Sequence, residues 1–282
     1  MRHPPVAPPL VQLDIAALPH DRPWHLGRIA SALVVLGLLG LIVRAFALGK
    51  IDWVAVGRFL TWPTILAGLG NTILMAVAAM ALGLVLGVLA AIARASPNPV
   101  LRGVALFYAW LFRGTPLILQ LLLWFNIALV FPVIGIPGVW SARAVVLMTP
   151  FTAALIGLAL NEGAYVSEIV RAGMLSVDRG QSEAAQSIGM PYLRALRRII
   201  LPQAMRVIVP PLGNQFIAMV KMTSLASVIQ YQELLHSAET LYYSNAKVIE
   251  LLIVAAAWYL VVVTVLSVGQ AVLERRFARG VR

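Results

Sequence analysis

A succession of apolar stretches, each long enough to cross a bilayer, restricts this chain more than any other feature. A spanning helix satisfies its own backbone in the absence of water and needs about 20 predominantly apolar residues. Six windows meet that need: Ile29 to Gly49, Thr64 to Ala93, Gly103 to Phe131, Ala144 to Arg171, Ala204 to Val228, and Val248 to Gln270. The whole chain agrees, being 61% hydrophobic and 12% charged over 282 residues, where soluble domains are roughly half apolar and a quarter charged. The expected fold is all-α: a polytopic membrane protein of about six transmembrane helices.

The windows carry local marks. Arg44 lies near the end of the first and can snorkel to the interface. Gly83 and Gly87 in the second form a small-xxx-small pair that lets another helix approach closely. The third is interrupted by "RGTP" from Arg113 to Pro116, where proline removes an amide donor and glycine loosens the backbone, so a break is expected there. Pro210 and Pro211 should bend the fifth.

Residues 1–28 include six prolines and read as a disordered cytoplasmic tail rather than a signal peptide. The chain has no cysteine, and its four histidines lack metal-ligand spacing, so neither a disulfide framework nor a zinc site is expected. The net charge of +11 is read by location, as membrane proteins collect Lys and Arg in cytoplasmic loops, and nucleic acid is not the implied partner. With the N-terminus inside, fifteen Lys and Arg residues fall on the cytoplasmic side and four outside, which places both termini in the cytoplasm.

The largest cytoplasmic loop, 178–202, reads "DRGQSEAAQSIGMPYLRALRRIILP". Ser182 is expected to cap a helix starting at Glu183, whose carboxylate would then meet the positive end of the dipole, and Gly189 to end it in a left-handed conformation. Pro191 suits the first turn of a second helix, which Pro202 would stop. There Leu193, Leu196 and Ile200 form an apolar stripe, with Arg194, Arg197 and Arg198 on another face. Those arginines can meet anionic lipid headgroups. The small residues Ala184, Ala185 and Gly189 allow close approach by a cytoplasmic partner.

The pattern Glu183-Ala184-Ala185, three residues, Gly189, nine residues, Ile199, one residue, Leu201-Pro202 resembles the EAA loop of ABC importer permeases at every specified position. The flanks "FRGTPLILQ", "GAYVSEIVRAG", "LPQAMRVIVPPLGN" and "KMTSLASVI" look like permease subunits of the polar amino acid branch, the histidine, glutamine and opine type. The likeness covers about 64–278 and leaves the tail and an extra N-terminal helix, 29–49, outside it. It implies a type I importer permease in the bacterial inner membrane. It further implies ATPase subunits at the loop, a periplasmic or tethered solute-binding protein, and a second permease subunit, identical or homologous. The sequence holds no G-x-x-x-x-G-K-[ST] phosphate cradle. ATP and Mg are therefore expected on the partner, with no cofactor in this chain and no enzymatic activity of its own.

Ionisable groups at membrane depth are functional candidates, because each costs about 2.5–3.5 kcal/mol or more to insert. Glu168 is either a path residue or an i,i+3 partner of Arg171 that braces the helix end. Glu162 follows Asn161; in the family this position is more often small or hydroxylated, so an acid points either to a positively charged substrate group or to a buried pair with a neighbouring subunit. Asn214 and Lys221 share a helix face. Lys221 either takes a substrate carboxylate or snorkels outward, and Met222 stands where the family often has an acid. Arg113 either satisfies carbonyls freed at the break or faces a dimer axis.

The resulting expectation is an ATP-driven importer permease moving a polar amino acid inward by alternating access. An ion-coupled secondary transporter of a polar solute is the alternative. The topology is testable because no native cysteine competes for label. A Ser182→Cys variant should stay unlabelled by an impermeant maleimide added to intact cells and react once the membrane is opened; labelling from outside would reverse the assignment.

Overall fold

The computed structural model describes residues 26–136 and 138–278. In chain order the helices are α1 (Leu26–Leu48), α2 (Trp53–Leu60), α3 (Pro63–Ala95), α4 (Pro99–Gly114) and α5 (Leu117–Phe125), followed by a short hairpin of β1 (Val133–Ile136) and β2 (Trp140–Arg143). Then come α6 (Ala144–Leu147), α7 (Pro150–Leu175), α8 (Arg179–Ser187), α9 (Tyr192–Ala195), α10 (Leu201–Met222), α11 (Leu234–Asn245) and α12 (Val248–Ala278). A π-helical turn, Leu196–Ile200, joins α9 to α10, and a 3-10 segment, Thr223–Ile229, follows α10.

Among the described residues five helical stretches are long and apolar enough to cross a membrane, and the bent pair α4 and α5 makes a sixth if counted as one span. The chain divides into two units, 1–51 and 52–282. In the first, α1 has its apolar residues on all faces, as a lipid-exposed helix does. It starts at Leu26, so the expected tail loses 26–28 to this helix, and its remainder, 1–25, lies outside the described residues.

The second unit is organised by the packing of α3 against α7, the most extensive contact between elements. Lipid supplies no hydrophobic force between helices, so association relies on close van der Waals fit. Along α3 the buried positions Gly68, Thr72, Ala76, Ala79, Gly83 and Gly87 recur at three- to four-residue spacing, the period of one helix face. A Cβ on Gly83 would lie 2.8 Å from the Cβ of Glu162, and one on Gly87 would lie 2.8 Å from the Gly163 carbonyl oxygen. The pair read from sequence as a close-approach motif is the seam between α3 and α7.

The third span breaks where "RGTP" lies, with 103° between α4 and α5. Its freed carbonyls are covered by neutral amides. Gln120 Nε2 donates to the Phe112 and Thr115 carbonyls at 2.9 and 3.1 Å, and Asn161 Nδ2 donates to Phe112 at 2.8 Å. Arg113, expected at those carbonyls or at a dimer axis, instead pairs with Glu168 at 3.2 Å. The reason is range: its long side chain reaches a carboxylate on α7, while the shorter amides are already seated at the break.

The hairpin between α5 and α6 is an addition to the all-α expectation. Its turn carries Gly138 at φ +77, a conformation glycine adopts without a Cβ clash. The apolar run Leu129 to Val139 conceals these strands from a reading by hydropathy, because membrane spans and strands draw on the same residues. At the start of the second unit Asp52 caps α2, accepting from the Ala55 N–H at 3.0 Å and from Lys247 Nζ at 3.0 Å. The Ala55 amide first, and Lys247 second, hold its carboxyl below the usual range.

Filling the seam tests this packing. Gly87→Leu should destabilise the chain by about 1–3 kcal/mol or more, since backbone on α7 cannot yield as a side chain does. Gly103→Leu, where nothing lies within 4 Å of a built Cβ, should be neutral. The unfolding temperatures of the two variants in detergent make the comparison, and equal values would contradict the described seam.

Candidate functional site

The 178–202 arm is built differently from its sequence reading. Asp178 rather than Ser182 caps α8, its carboxylate accepting from the Gly180 N–H at 2.6 Å. The helix thus starts four residues earlier than expected, because Asp178 is both a strong cap and two residues before an available amide. Glu183 consequently sits beyond the first turn, where the dipole's effect has faded. The side chain of Glu183 is exposed, without a bonded partner among the described residues. The end of α8 is as expected: Gly189 has φ +72, its N–H bonds to the Gln186 carbonyl at 2.9 Å, and the Met190 N–H bonds to Ala185 at 3.0 Å. These two bonds form a Schellman cap.

Pro191 is the cap residue of α9, one place ahead of its expected position. Pro202 does not stop the helix that follows. The π turn precedes it, with the Leu201 N–H bonding to Leu196 five residues back. This wider turn places the residue without an N–H in the first turn of α10, where no donor is required. One helical rod therefore runs from the arm into the membrane, and the expected loop 178–202 is a loop only as far as Met190. The extra residue also rotates the faces, so the expected stripe divides: Ile200 is buried, Leu196 half-buried and Leu193 75% exposed. Of the signature residues, Ala185 is buried, while Glu183, Ala184, Gly189, Leu201 and Pro202 are exposed and Ile199 is half-buried. Ile188 and Tyr192 join Leu193 as large exposed apolar side chains near the cap.

At membrane depth the candidates separate. Glu162 is 1% exposed, packed where Gly83 leaves room. Its Oε2 lies 3.4 Å from Gln215 Nε2 on α10, and its Oε1 has no hydrogen-bond partner among the described residues. A carboxylate in this position requires a cation or a donor. Tyr108, beside Gly163, donates instead to the Leu160 carbonyl at 2.7 Å. Glu168 is bound by three guanidinium groups, those of Arg94 on α3, Arg113 on α4 and Arg171 on α7. This ion cluster is thus wider than the i,i+3 pair read from sequence.

Asn214 and Lys221 are both exposed on α10, and no direct bond joins either to Glu162 among the described residues. Sequence reading missed Gln215, Gln120 and the structural acid Glu233. Glu233 is fully buried and accepts from the Leu235 and His236 amides and from the Tyr259 hydroxyl at 2.8, 2.7 and 2.7 Å. Gln215 carried no local signal, since its partner is 53 residues away. Among the described residues no acid, histidine or cysteine cluster could hold a metal ion.

Known proteins share this architecture and sequence. The arginine transport system permease protein ArgU of Corynebacterium glutamicum is 41% identical over 258 residues, 91% of this chain and 82% of that protein. The glutamine transport system permease protein GlnP of Escherichia coli K12 is 35% identical over 231 residues, 80% of this chain and 98% of that one. A crystal structure of an amino acid ABC transporter with histidines superposes with a TM-score of 0.71 at 35% identity, covering 81% of this chain and 100% of that chain. The family described as the inner membrane component of binding-protein-dependent transport systems matches residues 83–279. With most of its length matched by the family and by these relatives, this multi-pass membrane protein belongs to that family.

Proposed function

We propose that this chain is the permease subunit of an ABC importer that moves a cationic amino acid into the cytoplasm by alternating access. The observation that carries the substrate class is the buried Glu162 carboxylate, whose Oε1 is left without a partner among the described residues. An ammonium or guanidinium group would complete it with a charge-assisted bond. The names of the relatives, arginine and glutamine permeases, support an amino acid substrate. Family membership sets aside the ion-coupled secondary transporter. In this reading 64–278 form the permease domain, α1 is an extra helix before it, and a second permease subunit completes the path. A solute-binding protein delivers the substrate outside, and both termini lie in the cytoplasm. Hydrolysis of ATP with Mg belongs to separate ATPase subunits.

The rod from α9 through α10 supplies the linkage. It carries the α8 arm at one end and Gln215 and Lys221 at the other. From the start of the rod at Tyr192 to Gln215 is 23 residues, about 35 Å at 1.5 Å each. Displacement of α8 by an ATPase would therefore shift Gln215 against Glu162 and open α10 from α7. Lys221, on the exposed face of the rod, takes the substrate carboxylate, with Asn214 beside it on that face.

Two experiments test this. Glu162→Gln should raise the KM for arginine or lysine uptake roughly ten- to hundredfold, the equivalent of a lost hydrogen bond to a charged group, and spare neutral amino acids. Lys221→Met should weaken uptake of every amino acid taken up. Normal kinetics in both variants would leave these residues with structural roles alone. For the arm, Gly189→Val places a branched side chain at a left-handed angle that costs about 1–2 kcal/mol. It should abolish ATPase stimulation by loaded binding protein while the permease still inserts. Glu183→Ala should leave the permease's thermal stability unchanged and reduce stimulation only partly. Full stimulation in Gly189→Val would disprove coupling through this arm.

A further inference from the structure

A groove of about 670 Å³ opens between the last turns of α3, the last turns of α7 and the start of the rod, at the ends of these helices that carry the arginines. Its volume is that of a ligand site. Ala91, Ile92, Val170 and Met174 wall it on two sides, and Tyr192 and Leu196 form the third. Apart from Ser96 and the Tyr192 hydroxyl, the polar lining is Arg171. Arg171 shares the Glu168 carboxylate with Arg94, whose chain neighbour Ala95 also lines the groove, and with Arg113.

The charges at this site do not balance. Three guanidinium groups meet one carboxylate, and no second acid lies within salt-bridge distance of any of them among the described residues. An excess of two positive charges beside apolar helix ends is costly unless an anion joins it. Guanidinium retains unused N–H donors in a planar fork suited to phosphate oxygens. Beyond Arg171 and the two hydroxyls the groove is walled by apolar side chains, which accept hydrocarbon.

We propose that this groove binds an anionic phospholipid, with its phosphate on Arg171 and Arg94 and an acyl chain against α3, α7 and Leu196. Basic pockets between helices at the cytoplasmic face suit such headgroups. The third wall is the root of the rod that carries α8, so the lipid would fasten the arm to the α3 and α7 seam. The site itself does not depend on the substrate proposed above.

Native mass spectrometry of the full-length chain, titrated in detergent with phosphatidylglycerol or phosphatidylcholine, tests it. Phosphatidylglycerol should be retained at least fivefold better. Arg171→Gln should lose about fivefold of that preference, the contribution of one arginine near anionic lipid. Ala95→Phe, which fills the groove without touching the ion cluster, should lower retention of the anionic lipid, and Arg198→Gln, outside the groove, should not. Should Arg171→Gln fail to fold, Ala95→Phe decides alone. Equal retention of the two lipids, wild-type retention in Ala95→Phe, or loss of retention when two copies of the chain associate over the groove would each overturn the proposal.

Discussion

The close approach of α3 to α7 is the contact on which the rest of this structure depends. In hydrocarbon no solvent drives helices together, so adhesion comes from how closely two backbones can lie. Gly83 and Gly87 on one side and Gly163 on the other remove the atoms that would hold them apart. Their absence of side chains also creates the space in which Glu162 is buried. One small-residue seam therefore does two things: it holds α3 and α7 together, and it admits a carboxylate to a depth where a charge is otherwise expensive.

The broken third span and the rod show how irregular backbone survives at that depth. A bend of 103° frees carbonyls that lipid cannot satisfy. Gln120 and Asn161 cover them with neutral amides, which cost less to bury than a charge and need no counter-ion. Asn161 is adjacent to Glu162, so the same turn of α7 seals the break and presents the acid. In the rod the problem is the missing donor of Pro202, and the π turn solves it without ending the helix. The consequence is continuity: a helix stopped at Pro202 would separate α9 from α10, whereas here the two run on as one rod.

Charge is distributed by a related rule. Glu168 gathers arginines from three helices and fastens their ends together. Glu162, six residues earlier on the same helix, is hydrogen-bonded among the described residues to a glutamine amide alone. Two acids of one helix thus differ in role through their surroundings. The first is held by three guanidinium groups, while the second keeps one oxygen without a hydrogen-bond partner among the described residues.

The sequence by itself determined which segments enter the membrane, where the third span breaks, the left-handed cap at Gly189 and the family signature of the arm. These features are local: hydropathy over about 20 residues, a proline without a donor, a glycine without a Cβ, and a fixed run of residue types. Cap choice at Asp178 over Ser182 was also local, but two competent caps four residues apart present the same signal. Only the tertiary structure decided that Glu162 faces Gln215, that Glu168 collects Arg94 and Arg113 besides Arg171, that neutral amides rather than Arg113 seal the break, and that the helix continues through Pro202. Each of these depends on which faces oppose one another across a contact between distant segments. Spacing along the chain specifies a face but not its partner, and the partner is selected by where glycine lets two backbones meet.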